Sequence, residues 1–340
     1  MSIVENAAKI IFWGTPYFGA KILESLIRAN FRPILVITAP DKPKDRGLEK
    51  QAPEVKRMAI KHGLGVSQPT KLRENEAFWG QLRVLKPDLF IIASYGKIIP
   101  KEILGIPKKG CLNVHPSLLP RWRGASPIQA TILNGDEETG ATIMLMDEEM
   151  DHGDIIASSK LSRFGGIPPF NKFGIKEAKE AGKSQMSKLS YKELEEKLIE
   201  ESAKLLLETL PKWLNGKITP PPQDHSKATF CKIIKKEDGK IDFGESAEII
   251  ERKIRALNPW PGTFFEIKGK IYKILEAEIF KDAQLLPNKR VGEFFCCDKN
   301  LIVKCGQGGL IIKKIQPESK KPLSGYEFWC GYQKKLKSKN

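Results

Sequence analysis

The sequence predicts an α/β protein: an open, mostly parallel sheet over the first two thirds of the chain, then a separate small β domain. Three observations carry that reading. Short apolar runs alternate with amphipathic stretches through the first half, the pattern of βαβ units. Three consecutive prolines, Pro220 to Pro222, interrupt the chain within 215–226 and make a semi-rigid spacer. Beyond them, short alternating strands follow one another between Gly and Asn turns, as in a small barrel or sandwich.

Each element can be justified in turn. Residues 9–13 (KIIFW) read as a buried first strand, and Gly14-Thr15-Pro16 as the tight turn after it. Residues 18–28 follow at helical spacing, with Ile22, Leu23, Leu26 and Ile27 on one face. Residues 34–38, 89–93, 111–115, 143–146 and 155–157 read as further strands, with a helix over 126–133. Residues 39–51 (APDKPKDRGLEKQ) are too charged and Pro-rich for regular structure. A loop at the carboxyl end of a strand is either a ligand site or a solvated connection. Residues 191–210 form an amphipathic helix expected to end at Pro211. Strands are then expected over 264–267, 271–277, 292–295, 301–304 and 310–315. The division expected is 1–207, a linker over 208–226, and 227–340.

The 340 residues are 41% hydrophobic and 29% charged, which excludes collagen-like and wholly disordered classes. The net charge of +16 asks for an acidic partner, nucleic acid or an anionic membrane surface. No apolar run approaches the ~20 residues of a membrane helix. From Lys227 onward there are 24 basic and 14 acidic side chains, +10 of the total. The β domain therefore reads as an electrostatic docking module, the alternative being a basic surface that serves solubility. The run Lys334–Lys339 reads as a frayed tail. The polar start, with Glu5, does not read as a signal peptide. The six cysteines lack framework spacing and contain no C-x-x-C pair, so they read as reduced thiols of a cytoplasmic protein.

Only four histidines are available for chemistry. His62 and His225 lie in polar, loop-like surroundings and receive no role. His152 sits in Asp151-His152-Gly153-Asp154, where neighbours on an extended chain point apart, so no metal is expected there. His115 differs. Asn113 and His115 share one face at the end of a strand, and Pro116 holds His115 extended. An amide and an imidazole projecting together can polarise a carbonyl and move a proton. A structural pair capping a loop is the other reading of the same spacing.

The surrounding residues resolve the choice. CLNVHPSLLPRWRG over 111–124, MDHGDI after it and SYGKIIP over 94–100 resemble the folate-dependent formyltransferase family. The resemblance implies a site of Asn113, His115 and Asp151. It also implies contacts to 10-formyltetrahydrofolate from Ser117, Leu118, Leu119, Pro120, Tyr95 and Gly96, and no metal. KIIFWGTPYFGAKIL, PDKPKDRG, LPRWRGASPIQATILNGDEETGATIM, LNPWPG and CKIIKKEDGKIDF extend the likeness over nearly the whole chain. They are similar to the branch acting on methionyl-tRNA. That branch implies a Rossmann-like formyltransferase domain and an OB-like domain, working as a monomer on methionyl initiator tRNA in translation initiation. Arg46 and Lys42 occupy the loop expected to meet the acceptor stem, with Lys232, Lys235, Lys236, Arg252 and Arg255 as further phosphate contacts. Three departures stand out: Asp45 beside Arg46, Pro116 in place of a glycine, and an insertion over 162–187 read as a lid, a tRNA contact or an inert elaboration. Other readings are transfer to a sugar-nucleotide amine, hydrolysis of the folate, and a non-catalytic RNA-binding scaffold.

Overall fold

A computed structural model describes residues 8–43, 50–161 and 188–337. Arg46, Asp45 and the 162–187 insertion lie outside the described residues. Among those described, 8–127, 138–161 and 195–231 make one compact unit, and 128–137, 188–194 and 232–337 a second.

In chain order the elements begin with β1 (Ile10–Gly14), α1 (Tyr17–Arg28), β2 (Leu35–Ile37), β3 (Lys42–Pro43), β4 (Lys50–Gln51), α2 (Glu54–Lys61) and β5 (Val66–Ser67). They continue with α3 (Glu76–Leu85), β6 (Leu89–Ala93), α4 (Lys101–Leu104), β7 (Cys111–His115), β8 (Arg123–Gly124) and α5 (Pro127–Asn134). After these come β9 (Thr139–Leu145), β10 (Ile155–Leu161), α6 (Tyr191–Leu214) and β11 (Phe230–Cys231).

The first sheet runs β10-β9-β7-β6-β1-β2-β5. The pairs from β7 to β5 are parallel, and β9 and β10 are antiparallel. Alternate residues of β1 go to opposite faces. Ile10 and Phe12 pack with α1, α2 and α6, while Ile11 and Trp13 pack with α3 and Ile103. Both faces are thus covered, which explains the continuous apolar runs. The strand order reverses at β1, and β6 and β7 bring their carboxyl ends up beside it. In open α/β sheets ligands bind at that kind of place. Thr15, after β1, donates its hydroxyl to Tyr95 O, after β6, at 2.9 Å.

Two expectations in this unit are corrected. The 39–51 segment is not wholly irregular, because Lys42↔Gln51 and Pro43↔Lys50 pair antiparallel at its ends. The long helix passes through Pro211 and ends at Leu214. Proline removes one backbone bond there, but Trp213 and Leu214 pack on the core and Trp213 Nε1 donates to Lys109 O at 3.0 Å. The segment expected as a spacer is also hydrogen-bonded within this unit, since Ile155 N donates to Pro221 O at 3.1 Å.

The second unit contains α7 (Ala247–Leu257), β12 (Thr263–Ile267), β13 (Lys270–Phe280), β14 (Phe294–Cys297), β15 (Asn300–Lys304), β16 (Gly309–Pro317), β17 (Leu323–Ser324) and α8 (Gly325–Lys337). The antiparallel sheet runs β12-β13-β16-β15-β14, and β17 also pairs with β16. Phe243, Phe265, Phe294, Tyr272 and Phe328 form its aromatic centre. Helix α7 starts at Ser246, whose hydroxyl accepts from Ile249 N, and buries Ile250 and Ile254. The expected frayed tail is helical through Lys337, because Leu336 is buried in this core.

Candidate active site

The site grows from the carboxyl end of β7. Asn113 is paired with Met144 and His115 with Thr142 on β9, so both side chains leave the same face of the sheet. Asp151 comes from the turn between β9 and β10 and is left-handed, with φ 49°. The three meet there. Asn113 Nδ2 donates to Asp151 Oδ1 at 3.0 Å, and His115 Nδ1 lies 3.6 Å from the same oxygen, within ion-pair but not hydrogen-bond range. The His115 side chain is 5% exposed and that of Asp151 12%, so bulk water screens this contact little.

Three consecutive residues close the far side. His115 Nε2–H donates to Trp122 O at 3.0 Å, which leaves Nδ1 as the basic nitrogen of the neutral ring, facing Asp151. Gly124 N donates to Asp151 Oδ2 at 2.8 Å. Arg123, between them, is 4% exposed and donates through Nε and Nη2 to Gln223 Oε1, at 3.2 and 2.7 Å. Gly124 could be nothing else: its φ is 119°, and a Cβ there would lie 2.2 Å from Cys231 O. That approach is the β8–β11 pairing. Burial, followed by the neighbouring Asp151 carboxylate, pushes the Cys231 thiol up. Its sulfur accepts from Ser126 N and lies 3.4 Å from Arg123 O, a structural thiol rather than a nucleophile.

The Ser117–Pro120 turn is fixed against β9. Thr142 Oγ1 donates to Ser117 O at 2.7 Å and accepts from Leu119 N at 3.2 Å, while Ser117 Oγ donates to Arg121 O at 2.6 Å. Ser117 is fully buried, Leu119 is buried, and Leu118 and Pro120 are half-buried. Tyr95 is buried edge-on against Trp13, with ring centroids 5.2 Å apart, and its hydroxyl has no hydrogen-bond partner among the described residues. Burial pushes that hydroxyl up to about 12, which keeps it a donor. Gly96 is exposed, with φ 79°. Lys42 is exposed on β3.

Among the other basic positions, Lys235 and Lys236 are exposed and Lys232 pairs with Asp238 at 3.0 Å. Arg252 is half-buried and donates to Asn134 O at 3.4 Å. Arg255 is committed to Glu251, at 2.6 and 3.0 Å, and to Leu189 O, at 2.8 Å.

Sequence reasoning passed over four residues around the site. Thr142 holds the turn, Gln223 joins Arg123 to the Asp151 loop, and His225 accepts from Arg123 Nη2 at 2.8 Å. His152 stacks on His225 at 4.0 Å and donates to Asp147 at 2.6 Å. The signal for Gln223 was its place: an uncharged polar residue directly after three prolines, on a chain too stiff to hide it elsewhere. Among the described residues, no three His, Cys, Asp or Glu side chains are grouped to hold a metal ion.

Residues 8–163 match the formyl transferase family and 233–333 match the formyl transferase C-terminal domain. The methionyl-tRNA formyltransferase of Sulfurihydrogenibium sp. is 40% identical over 327 residues, covering 95% of this chain and 97% of that protein. The chain belongs to the methionyl-tRNA formyltransferase family. The enzyme of Neisseria meningitidis serogroup C is 38% identical, over 95% of this chain and 97% of its own. Solved structures share the fold. An N-formyltransferase of Helicobacter canadensis, bound to folinic acid and dTDP-3-aminofucose, has a TM-score of 0.60 at 18% identity, over 91% of this chain and 99% of that one. HypX of Aquifex aeolicus, in complex with tetrahydrofolic acid, gives 0.58 at 17% identity over 98% of this chain. The chain spans about half of HypX, 48% of its length.

Proposed function

We propose that this chain transfers the formyl group of 10-formyltetrahydrofolate to the α-amino group of methionyl initiator tRNA. The observation that carries the reading is the meeting of Asn113, His115 and Asp151 at one carboxylate oxygen, in a chain of this family.

When bound, the folate supplies an electrophilic formyl carbon on N10. Asn113 spends one N–H on Asp151, and its second is available to the formyl oxygen as negative charge develops. His115 Nδ1 accepts the proton that the attacking amine sheds, and Asp151 stands beside it to stabilise the imidazolium. The same nitrogen returns the proton to the leaving N10, so no net proton remains on the protein. A free α-amino group titrates at about 7.7–8.0, so part of the acceptor is neutral near pH 7 without help. Ser117 to Pro120 and the Tyr95 hydroxyl, which has no partner among the described residues, are the proposed folate contacts.

The functional division is 1–207 for chemistry and 227–340 for holding RNA, joined through 208–226. The two family matches leave 208–226 between them. Lys42 and Arg46 are the proposed acceptor-stem contacts. No described helix is long and apolar enough to cross a membrane. Six unpaired cysteines favour a reducing, cytoplasmic setting, and we take the working form as a monomer.

The test is formyl transfer to methionyl initiator tRNA, with methionyl elongator tRNA, free methionine and a nucleotide-linked amino sugar beside it. Product with the initiator alone is the expected result. Product with the amino sugar alone moves the acceptor to that class. Tightly bound tRNA without product supports a binding protein instead.

A further inference from the structure

Asp151 sits in a left-handed turn, with φ 49°. The chain bends sharply there, and contacts from outside the turn fix both its side chain and its main chain. Its carboxylate is held by Gly124 N and Asn113. Its main chain is held by one side chain from 72 residues further on. Gln223 Nε2 donates to Asp151 O at 3.0 Å and to Gly153 O at 2.6 Å. One carboxamide thus spends both of its N–H groups across the turn that presents the carboxylate.

Gln223 cannot rotate away from this task. It is 5% exposed, and its carbonyl oxygen takes two N–H donors from the buried guanidinium of Arg123. Flipping the amide would set its NH₂ against those donors and its oxygen against two carbonyls. Arg123 makes no ion pair among the described residues, and its guanidinium turns next to His225 Nδ1, at 2.8 Å. Gly153 adds a second constraint on the same turn: a Cβ there would lie 1.9 Å from Leu145 O, so the turn sits directly on the end of β9. Residues 123 and 124 therefore grip Asp151 twice, Gly124 directly at the carboxylate and Arg123 through Gln223 at the backbone.

We propose that Gln223 is a positioning residue for formyl transfer, fixing the Asp151 turn so that the carboxylate meets both Asn113 and His115. It touches no reacting atom and acts through Asp151. The inference rests on the formyl-transfer reading above and adds a residue to its machinery.

Gln223→Glu separates positioning from packing. The carboxylate keeps the shape and pairs with Arg123, so the buried cation stays satisfied. It has no N–H for Asp151 O and Gly153 O, and sets an oxygen against each. Formyl transfer is measured under steady state with both substrates varied, next to a thermal melt. The expected result is a kcat about 10- to 100-fold lower, KM values for tRNA and folate within about twofold, and a melting temperature within a few degrees of wild type. Should Q223E not fold, Q223N keeps both kinds of atom one methylene further back and gives the same split of kcat from KM. A folded variant with wild-type kcat overturns the proposal, as does a loss that appears only with raised KM and a lowered melting temperature. An inactive wild-type chain overturns the formyl-transfer reading and this inference with it. An active wild type matched by Q223E overturns this inference alone.

Discussion

Strand β1 of the first unit is buried at every position from Ile10 to Gly14, whereas β13 of the second alternates, with Tyr272 and Ile274 inside and Lys273 between them outside. A parallel sheet must be covered on both faces, because its connections run across them, while an antiparallel sheet can leave one face to water. The lesson is a division of labour. The first unit has little surface to spare on its sheet and puts its polar chemistry at the strand ends, where Asn113, His115 and Asp151 meet. The second keeps a charged face along its strands, where Lys313 pairs with Glu278 and Lys314 with Glu276, and the chain from Lys227 onward carries +10 of the total charge of +16.

The comparison can be broken most sharply at the strand end. Asn113→Ala should lower the rate of formyl transfer by about 10²–10³-fold and the melting temperature by only a few degrees, because it removes a donor and one hydrogen bond to Asp151 but little packing. In the second sheet the reverse holds. Ile274→Ala should lose about 2–5 kcal/mol in a urea melt, and its exposed neighbour Lys273→Ala within about 0.5. Equal losses at the two positions would contradict the alternation.

Thiol chemistry sharpens the same contrast more gently. Cys111 in the first unit and Cys305 in the second are both pushed up to about 12 by burial, which disfavours the thiolate. At pH 8 both should resist iodoacetamide in the folded chain, while the exposed Cys330 reacts. Mass mapping of the alkylated sites reads this directly, and raising the pH to 9 should leave the two buried thiols still protected.

The smallest effect separates exposed charge from committed charge. Replacing Lys235 and Lys236 with alanine should flatten the salt dependence of tRNA binding by about 0.7–0.9 in logarithmic slope for each phosphate no longer neutralised. Arg255→Ala should leave that slope alone and lower the melting temperature, because Glu251 and Leu189 already hold its guanidinium.

Much of this was legible in the residues. The strands over 89–93 and 111–115 stand where their apolar runs end, and the five expected strands of the second unit are all present. Helix α7 is harder to see although Ser246 caps it and Ile250, Ile254 and Leu257 recur at helical spacing, because strand-like sequence lies on its C-terminal side. The helix runs past Pro211 because local propensity yields to the packing of Trp213 on the first core. At the site, Asn113 and His115 could be paired from their spacing of two. Asp151 needed the family resemblance, since nothing local announces a contact 38 residues away. Gln223 offers only its place after the three prolines, because two of its partners are backbone carbonyls, which have no letter in the sequence, and the third is an arginine 100 residues away.

The β8–β11 pairing also sets an order of assembly. Trp122 N donates to Thr229 Oγ1 at 2.9 Å, Arg123 N to Thr229 O at 2.8 Å, and Thr229 N to Pro120 O at 3.2 Å. A chain emerging from the ribosome has already made the residues of β1 to β10, with Asn113, His115 and Asp151 among them, before residue 223 or 229 exists. Until those arrive, the hydrogen bonds that tie 122–124 to Thr229 and Cys231 cannot form. The proposed centre of Asn113, His115 and Asp151 is therefore complete only when synthesis has passed Cys231.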